Sequence, residues 1–433
     1  MLPPMAGPAP DPDPTTPRSS PLPVAAWVLY DLANTVYIAT VTFVFTPFAK
    51  QEIGGLTGHG VTNFLSMVAA AFLVPFLGAL CDTTSHTNRY LRTATLLCIV
   101  ALAGWALDFG SLWLLGCFLV ANLTYNVALL FYNALLPAVA PPDRIGRVSG
   151  LGVGLGYLGT ILVLVLLITV DLDARAFFVL SAGLFLALAL PCLWLVHDRR
   201  RPPQPAAEAG STFASANRRL LATLRELPRH RALMWFLVGN FCLVDVLNTA
   251  VLYFADFTVA VFRAQAEAGQ LSLLGATFGA DNDLAGFKGV TGLCLNVLAL
   301  VYGVTIGAWT DRAPLAVMRA SAVALLLALI GGAVFGGHSA LGYLLTLVAL
   351  GAFGLTGIWT AGRKIVVLLA PPDQVGRFFG LYGITVKLSV VGSVVYGVVS
   401  DAWGSKPAML AQSAQLLLGL ACLYMVRLPD RAR

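Results

Sequence analysis

The sequence predicts an all-α polytopic membrane protein of twelve transmembrane helices arranged as two six-helix bundles. Three observations carry that expectation. The 433 residues are 58% hydrophobic and 11% charged, with a mean hydropathy of +0.81, whereas an average soluble protein has about 25% charged residues. Apolar runs of spanning length follow one another along nearly the whole chain. Short stretches of the first half also recur, in order, in the second. So little charge cannot cover a soluble surface, which excludes a disordered protein, a disulfide-rich secreted scaffold and an ordinary cytosolic enzyme.

Residues 1–24 are rich in Pro, Ser and Asp and show no basic segment leading into an apolar one. They read as a disordered cytoplasmic tail rather than a signal peptide. Spans are expected near 25–47, 62–81, 92–110, 112–137, 148–170 and 175–196, forming a first bundle over 25–196. A polar, basic linker covers 197–231. The second bundle, 232–426, has spans near 232–256, 288–309, 315–335, 339–361, 378–399 and 408–426, followed by a short tail at 427–433. None of these runs alternates polar with apolar residues, as the strands of a membrane β-barrel would.

Orientation follows from the basic residues. With the N-terminus inside, 21 Lys and Arg fall on the cytoplasmic side and only 5 (Lys50, Arg175, Arg263, Lys288, Lys406) outside, with Lys387 within a span. Basic residues concentrate in cytoplasmic loops, so both termini are expected in the cytoplasm. The net charge of +6 is explained by this bias and does not imply a nucleic-acid partner. Arg199, Arg200, Arg201, Arg218 and Arg219 in the linker read as topological anchors able to touch anionic headgroups.

The duplication is the most informative feature. Ala140-Pro141-Pro142-Asp143-Arg144-Ile145-Gly146-Arg147-Val148-Ser149-Gly150-Leu151 recurs 230 residues later as Ala370-Pro371-Pro372-Asp373-Gln374-Val375-Gly376-Arg377-Phe378-Phe379-Gly380-Leu381, identical at eight of twelve positions. Gly78-Ala79-Leu80-Cys81-Asp82 pairs with Gly307-Ala308-Trp309-Thr310-Asp311. Asp31-Leu32-Ala33-Asn34-Thr35 in the first span matches Asp245-Val246-Leu247-Asn248-Thr249 in the seventh, the different shift being absorbed by a longer 257–287 loop. Parallel repeats around a midplane site are a common transporter architecture.

Gly78-x-Leu80-x-Asp82 and Gly307-x-x-x-Asp311-Arg312 resemble the loop signature of the major facilitator superfamily, G-x-L-x-D-R-x-G-R-R. They depart from it at Thr83, in a basic run thinned to Arg89 and Arg92, and at Ala313-Pro314. The resemblance implies the major facilitator fold. It also implies a gating charge network on the cytoplasmic side, here Asp82, Arg147, Asp311, Arg312 and Arg377. More narrowly, Tyr30-Asp31-Leu32-Ala33-Asn34, Tyr132-Asn133-Ala134-Leu135-Leu136-Pro137 and Gly146-Arg147-Val148-Ser149-Gly150-Leu151-Gly152 look like the branch of vacuolar amino-acid effluxers of autophagy and their bacterial relatives. That branch implies export of an amino acid or similar metabolite, in a bacterial inner membrane.

Ionisable groups within a bilayer cost roughly 2.5–3.5 kcal/mol on insertion scales, so each calls for a partner or a pathway. Asp31, Asp245 and Lys387 lie deepest, with Arg363 and Lys364 nearer the cytoplasmic end of the tenth span. At about 100° per residue, Asp31, Asn34, Thr35 and Thr42 share one side of the first span. Asp245, Asn248, Thr249 and Asp256 share a side of the seventh, and Asn122, Asn126 and Asn133 a stripe on the fourth. In the major facilitator fold the first, fourth, seventh and tenth spans line the cavity, so these stripes are expected at the substrate. The alternative is interhelical hydrogen bonding. Asp31 and Asp245 are candidates for proton coupling, or for structural ion pairs such as Asp245 with Lys387. Arg363 or Lys364 could neutralise an anionic substrate, and Lys387 is a group able to change protonation during transport.

Other signals point away from enzyme chemistry. Gly154-x-Gly156-x-x-Gly159 matches a dinucleotide fingerprint but lies within an apolar span with no preceding strand, and reads as helix packing. No Walker loop appears, and none of the five histidines lies deep in a span. The seven cysteines are scattered, mostly in apolar runs. No cofactor is expected. The chain is read as a monomeric secondary transporter of a small polar solute working by alternating access, with a proton or other cation as co-substrate. A lipid translocase of the same fold is the alternative.

Overall fold

The structure is a computed structural model and describes residues 21–53, 57–84, 86–198, 231–279, 282–371, 374–389 and 391–428. The tail at 1–20, Pro372 and Asp373 of the duplicated loop, residues 429–433, and 199–230 with the five linker arginines lie outside the described residues.

Among the described residues, eleven helices are long and apolar enough to cross a membrane. In the first half these are α1 (Pro21–Ile53), α2 (Thr57–Thr84), α4 (Ser111–Val139), α5 (Ile145–Thr169) and α6 (Ala174–Leu195). Between α2 and α4 runs α3 (Thr87–Gly104), the third expected span. Its first turns carry Arg89 and Arg92, which shortens its apolar stretch, and it packs against α4 and α6 to complete the bundle. The second half comprises α7 (Arg231–Glu267), α8 (Asn282–Arg312), α9 (Pro314–Phe335), α10 (Ala340–Leu369), α11 (Val375–Trp403) and α12 (Ser405–Tyr424).

Several boundaries differ from the hydropathy expectation for local reasons. Helix α1 already includes residues 21–24 of the expected tail. The third helix ends at Gly104, short of the expected 110, and Gly110 with φ 83° breaks the chain before α4. Helix α7 runs through Arg263 to Glu267, past its apolar run, and is followed by a hairpin where the sequence pattern suggests only a loop. Strands β1 (Leu271–Leu273) and β2 (Ala276–Phe278) pair antiparallel about Leu274 (φ 51°) and Gly275 (φ 88°), the paired positive φ of a type I′ turn. Leu271 and Leu273 are buried beneath it, and Phe287 of α8 packs edge-on against Phe262 and Phe278.

The outer surface presents large apolar side chains such as Phe72, Val100, Leu252 and Val398, each more than 60% exposed. A soluble monomer does not carry such a belt. Serine and threonine hydroxyls inside the helices bond back to carbonyls one turn earlier, as Thr35 does to Asp31 and Thr356 to Ala352. This satisfies their polar groups without water.

The halves meet chiefly along α2 with α11 and α5 with α8, with smaller contacts of α10 to α5 and α11 to α4. Both seams are lined by glycine. A Cβ on Gly150 would lie 2.5 Å from the Gly303 carbonyl oxygen and 2.9 Å from Gly307 Cα, and one on Gly380 would lie 2.9 Å from Pro75 Cα. The run Gly154, Gly156, Gly159 does pack helices. Gly154 abuts α8, while Gly156 and Gly159 abut Thr35 and the Leu32 carbonyl of α1.

Candidate functional site

Between the halves lies a cavity of about 420 Å³ lined by α1, α2, α4, α5, α7, α10 and α11. It lies above the face on which α1 begins and the duplicated loops lie, here called the terminal face. Asp31, Asn34, Asn126, Asn133, Asn248, Arg363 and Lys387 all contribute to its wall.

At its core is an ion pair that joins the halves. Arg363 of α10 donates to both oxygens of Asp31 on α1, Nη1 to Oδ2 at 3.0 Å and Nη2 to Oδ1 at 3.4 Å. The pair is nearly buried, and charges taken out of water are tolerable only with such pairing. An aromatic stack holds the guanidinium. Trp27 lies over Tyr132 with centroids 4.3 Å apart, and Arg363 is 5.6 Å from both rings. Trp27 Nε1 donates to the Tyr132 carbonyl at 3.1 Å, fixing the stack. The branch-like Tyr30-Asp31 and Tyr132-Asn133 patterns thus build one device.

A second link crosses the cavity, with Lys387 of α11 donating to Asn126 Oδ1 of α4. Asn34 and Asn133 face the same space, and Asn34 Nδ2 and Oδ1 and Asn133 Oδ1 are buried with no hydrogen-bond partner among the described residues. Asn248 donates weakly to the Ser389 carbonyl at 3.4 Å. The wall therefore carries two cations, one carboxylate and several uncommitted amide groups, set among apolar side chains such as Ile38, Met67 and Leu130.

Other expected site residues lie elsewhere. Asn122 does not line the cavity; its Nδ2 donates to Asn63 Oδ1 at 2.9 Å and Ser66 Oγ at 2.7 Å on α2, the interhelical alternative. Asp245 does not line it either, and it does not pair with Lys387. It is fully buried between α7 and the second segment of α11, accepting from the Gly392 N–H at 2.7 Å and Gln415 Nε2 at 2.6 Å. Thr42 and Asp256, placed on the cavity stripes by helical angle, are exposed and do not line it.

The terminal face is closed by two crossed contacts. Asp82 at the end of α2 accepts from the N–H groups of Gly376 (2.9 Å) and Arg377 (2.7 Å), the first turn of α11. Asp311 at the end of α8 accepts from Gly146 (2.5 Å) and Arg147 (3.0 Å), the first turn of α5. Each duplicated Gly-Arg thus offers helix N-terminal amides to the aspartate of the opposite half. A carboxylate suits that position because of the unpaired N–H groups and the positive end of the helix dipole. The arginine side chains of the duplicated loops and Arg312 have varied surroundings. Arg147 Nε lies 3.9 Å from Asp311 Oδ2 and is half exposed, Arg377 donates to Gln374 of its own loop, and Arg312 is exposed without an ion pair among the described residues. The cation at Asp311 is instead Lys364, buried at 3.0 Å from Oδ1 and donating also to the Pro142 carbonyl of the other half. The sequence signal was a lysine beside Arg363 at a span end, read there only as a substrate contact.

Paired bundles, a polar cavity between them and matched aspartate contacts on one face define a transporter of the major facilitator class. Solved structures share this fold. The Escherichia coli fucose:proton symporter FucP aligns with a TM-score of 0.70 at 16% identity, covering 94% of this chain and 98% of that one. The human organic anion transporter MFSD10 aligns at 0.65 and 15%, covering 95% and 100%. Within the class, the model of the family described as vacuole effluxer Atg22 like matches residues 142–433, and the chain belongs to that family. It is 25% identical over 430 residues to the uncharacterised MFS-type transporter YxiO of Bacillus subtilis (strain 168), covering 93% of this chain and 94% of that protein. An uncharacterised Aquifex aeolicus (strain VF5) protein is 27% identical over 227 residues, 52% of this chain and 54% of that one.

Proposed function

We propose that the chain exports a small carboxylate-bearing solute, an amino acid or close relative, by alternating access of the central cavity. The carrying observation is the Asp31–Arg363 pair, which spans the two halves in the cavity wall with Lys387 on the same wall. A solute carboxylate is met by Lys387, and its amino group finds acceptors at Asn34 and Asn133. The uncommitted amides, set beside Arg363 and Lys387, favour a small polar solute over a lipid. The names of two likenesses, a vacuole effluxer family and an organic anion transporter, agree with efflux and with an anionic cargo respectively. With the basic-residue bias, the terminal face is cytoplasmic and the structure corresponds to a state closed on that side.

Proton coupling follows from the same pair. A proton arriving on Asp31 removes the charge that holds Arg363, and the tie between the halves loosens. Asp245, buried outside the cavity, is not needed for this step.

A thermal-shift screen of the purified protein tests the cargo. Amino acids or other carboxylates are expected to raise Tm, a ligand at 100 times its Kd contributing about 2.7 kcal/mol. Lys387→Gln is expected to abolish the response while leaving the unliganded Tm within a few degrees. Stabilisation by sugars alone, or an unchanged response in Lys387→Gln, would sink the carboxylate assignment. In proteoliposomes, Asp31→Asn is expected to remove the dependence of solute movement on a pH gradient.

A further inference from the structure

The repeated Asp-x-x-Asn-Thr pattern is treated differently in the two halves. In α1 the Asp31 carboxylate receives a full positive charge from Arg363. Its counterpart in α7, Asp245, is fully buried and takes part in no ion pair among the described residues. Its Oδ2 is occupied by two neutral donors, the Gly392 N–H and Gln415 Nε2, the Val391 N–H also faces the carboxylate, and Oδ1 is buried without a hydrogen bond of normal geometry among the described residues. A buried carboxylate without a counter-charge is among the costliest arrangements a protein can hold.

Two more oxygens share that condition. Thr249 Oγ1, one turn further along α7, is buried without a partner among the described residues. Gln412 of α12 gives its Nε2 to the Gly392 carbonyl at 3.0 Å, which turns its Oε1 inward, also unpartnered. All three side chains are at most 1% exposed. These two oxygens and the carboxylate of Asp245 meet at Gly392: a Cβ there would lie 2.7 Å from Thr249 Oγ1, 2.8 Å from Gln412 Oε1 and 3.1 Å from Asp245 Oδ2, the oxygen that also accepts from Gly392 and Gln415. A side chain at 392 would collide with all three, so only glycine lets these oxygens gather this closely.

The backbone there is discontinuous. The first segment of α11 (Val375–Leu388) ends at Ser389, whose ψ of 67° is not helical, and the described helix resumes as Val391–Trp403. Interrupted membrane helices bring backbone ends with partial charges to a protein interior, where transporters commonly hold ions. A carboxylate, an amide oxygen and a hydroxyl are hard ligands, and the single negative charge matches a single positive one. A divalent ion would bring an unbalanced charge and demand more ligands. Among the described residues no group of three His, Cys, Asp or Glu could hold a transition metal, and an alkali ion needs none.

We propose that Asp245, Thr249 and Gln412, gathered around Gly392 where α11 is interrupted, form a sodium-ion site. It lies outside the solute cavity, so it does not rest on the identity of the solute. Asn248, which lines the cavity, donates to the Ser389 carbonyl at the same interruption and gives the ion a route to influence α11.

The test uses the purified full-length protein at constant pH and ionic strength in NaCl, KCl or choline chloride. Saturable binding of ²²Na⁺ near one ion per chain is expected, with a Tm rise of about 5 °C in NaCl over choline. Thr249→Val preserves shape and is expected to keep the choline Tm while weakening ²²Na⁺ binding at least tenfold. Asp245→Asn is expected to abolish binding. Equal Tm in the three salts, absence of ²²Na⁺ binding, or native affinity in Thr249→Val would each overturn the site. So would stabilisation in choline by acidification to the level reached in NaCl, which would make the occupant a proton.

Discussion

Arg363 and Asp31 are 332 residues apart, yet they form the contact on which the cavity depends. Each alone would be an unpaired charge in a membrane interior, and breaking a buried pair from one side costs about 3–5 kcal/mol. Asp31→Asn and Arg363→Gln are each expected to lower Tm markedly. The double variant, which leaves no unpaired charge, should recover part of that loss, a coupling of about 1–3 kcal/mol in a double-mutant cycle. Strictly additive Tm losses would contradict the pairing. Arg363→Lys should not rescue transport, because a lysine cannot form the bidentate contact or lie flat over Trp27 and Tyr132.

Among the helices, α5 and α8 are set by what they lack. Their glycines allow backbone to meet backbone, and a Cβ on Gly307 would lie 2.8 Å from Arg147 Cα. Gly307→Ala is therefore expected to cost about 1–3 kcal/mol through overpacking and to force the seam apart. Gly116, on the outside of α4, is the control, because a methyl group added there would meet nothing within 4 Å. There Gly→Ala should be neutral or stabilising by up to about 1 kcal/mol, the ordinary helix preference. Thermal unfolding of the two variants side by side checks both. Helix α11 shows the opposite principle: its interruption at Ser389 persists because Asn248 and Asp245 of α7 take up the polar backbone groups on either side of it.

Across the whole molecule, the duplication becomes a reciprocal latch. Asp82 of the first half holds the start of α11, and Asp311 of the second holds the start of α5. Because a charge at a helix N-terminus contributes typically 0.3–1 and at most about 2 kcal/mol, either latch alone should keep the terminal face largely closed. The Asp82→Asn and Asp311→Asn double variant is expected to shift the balance toward opening by roughly 5- to 30-fold. Ser149, fully buried at this seam, is the reporter: a cysteine there should react with a maleimide from the terminal face far faster in the double variant than in either single one. Equal reactivity in all backgrounds would remove the latch role from both aspartates.

Sequence alone determined that the chain lies in lipid, that it is built of twelve spans in two related halves, and that Asp82 and Asp311 mark one face. Those properties are written locally, in runs of apolar residues and in repeated short patterns. Tertiary structure decided partners. Helical angle put Asn122 beside Asn126 and Asp245 beside Asn248, but a stripe wide enough to hold both touches two neighbours. Packing gave Asn122 to α2 and Asp245 to the α11 interruption, leaving Asn126 and Asn248 to the cavity. Arg312 follows Asp311 in the chain, yet Lys364 is its cation, because the side chain on α10 points into the seam while Arg312 points to water. Which charge meets which depends on the rotation and approach of whole helices, and no single helix encodes the position of its neighbour.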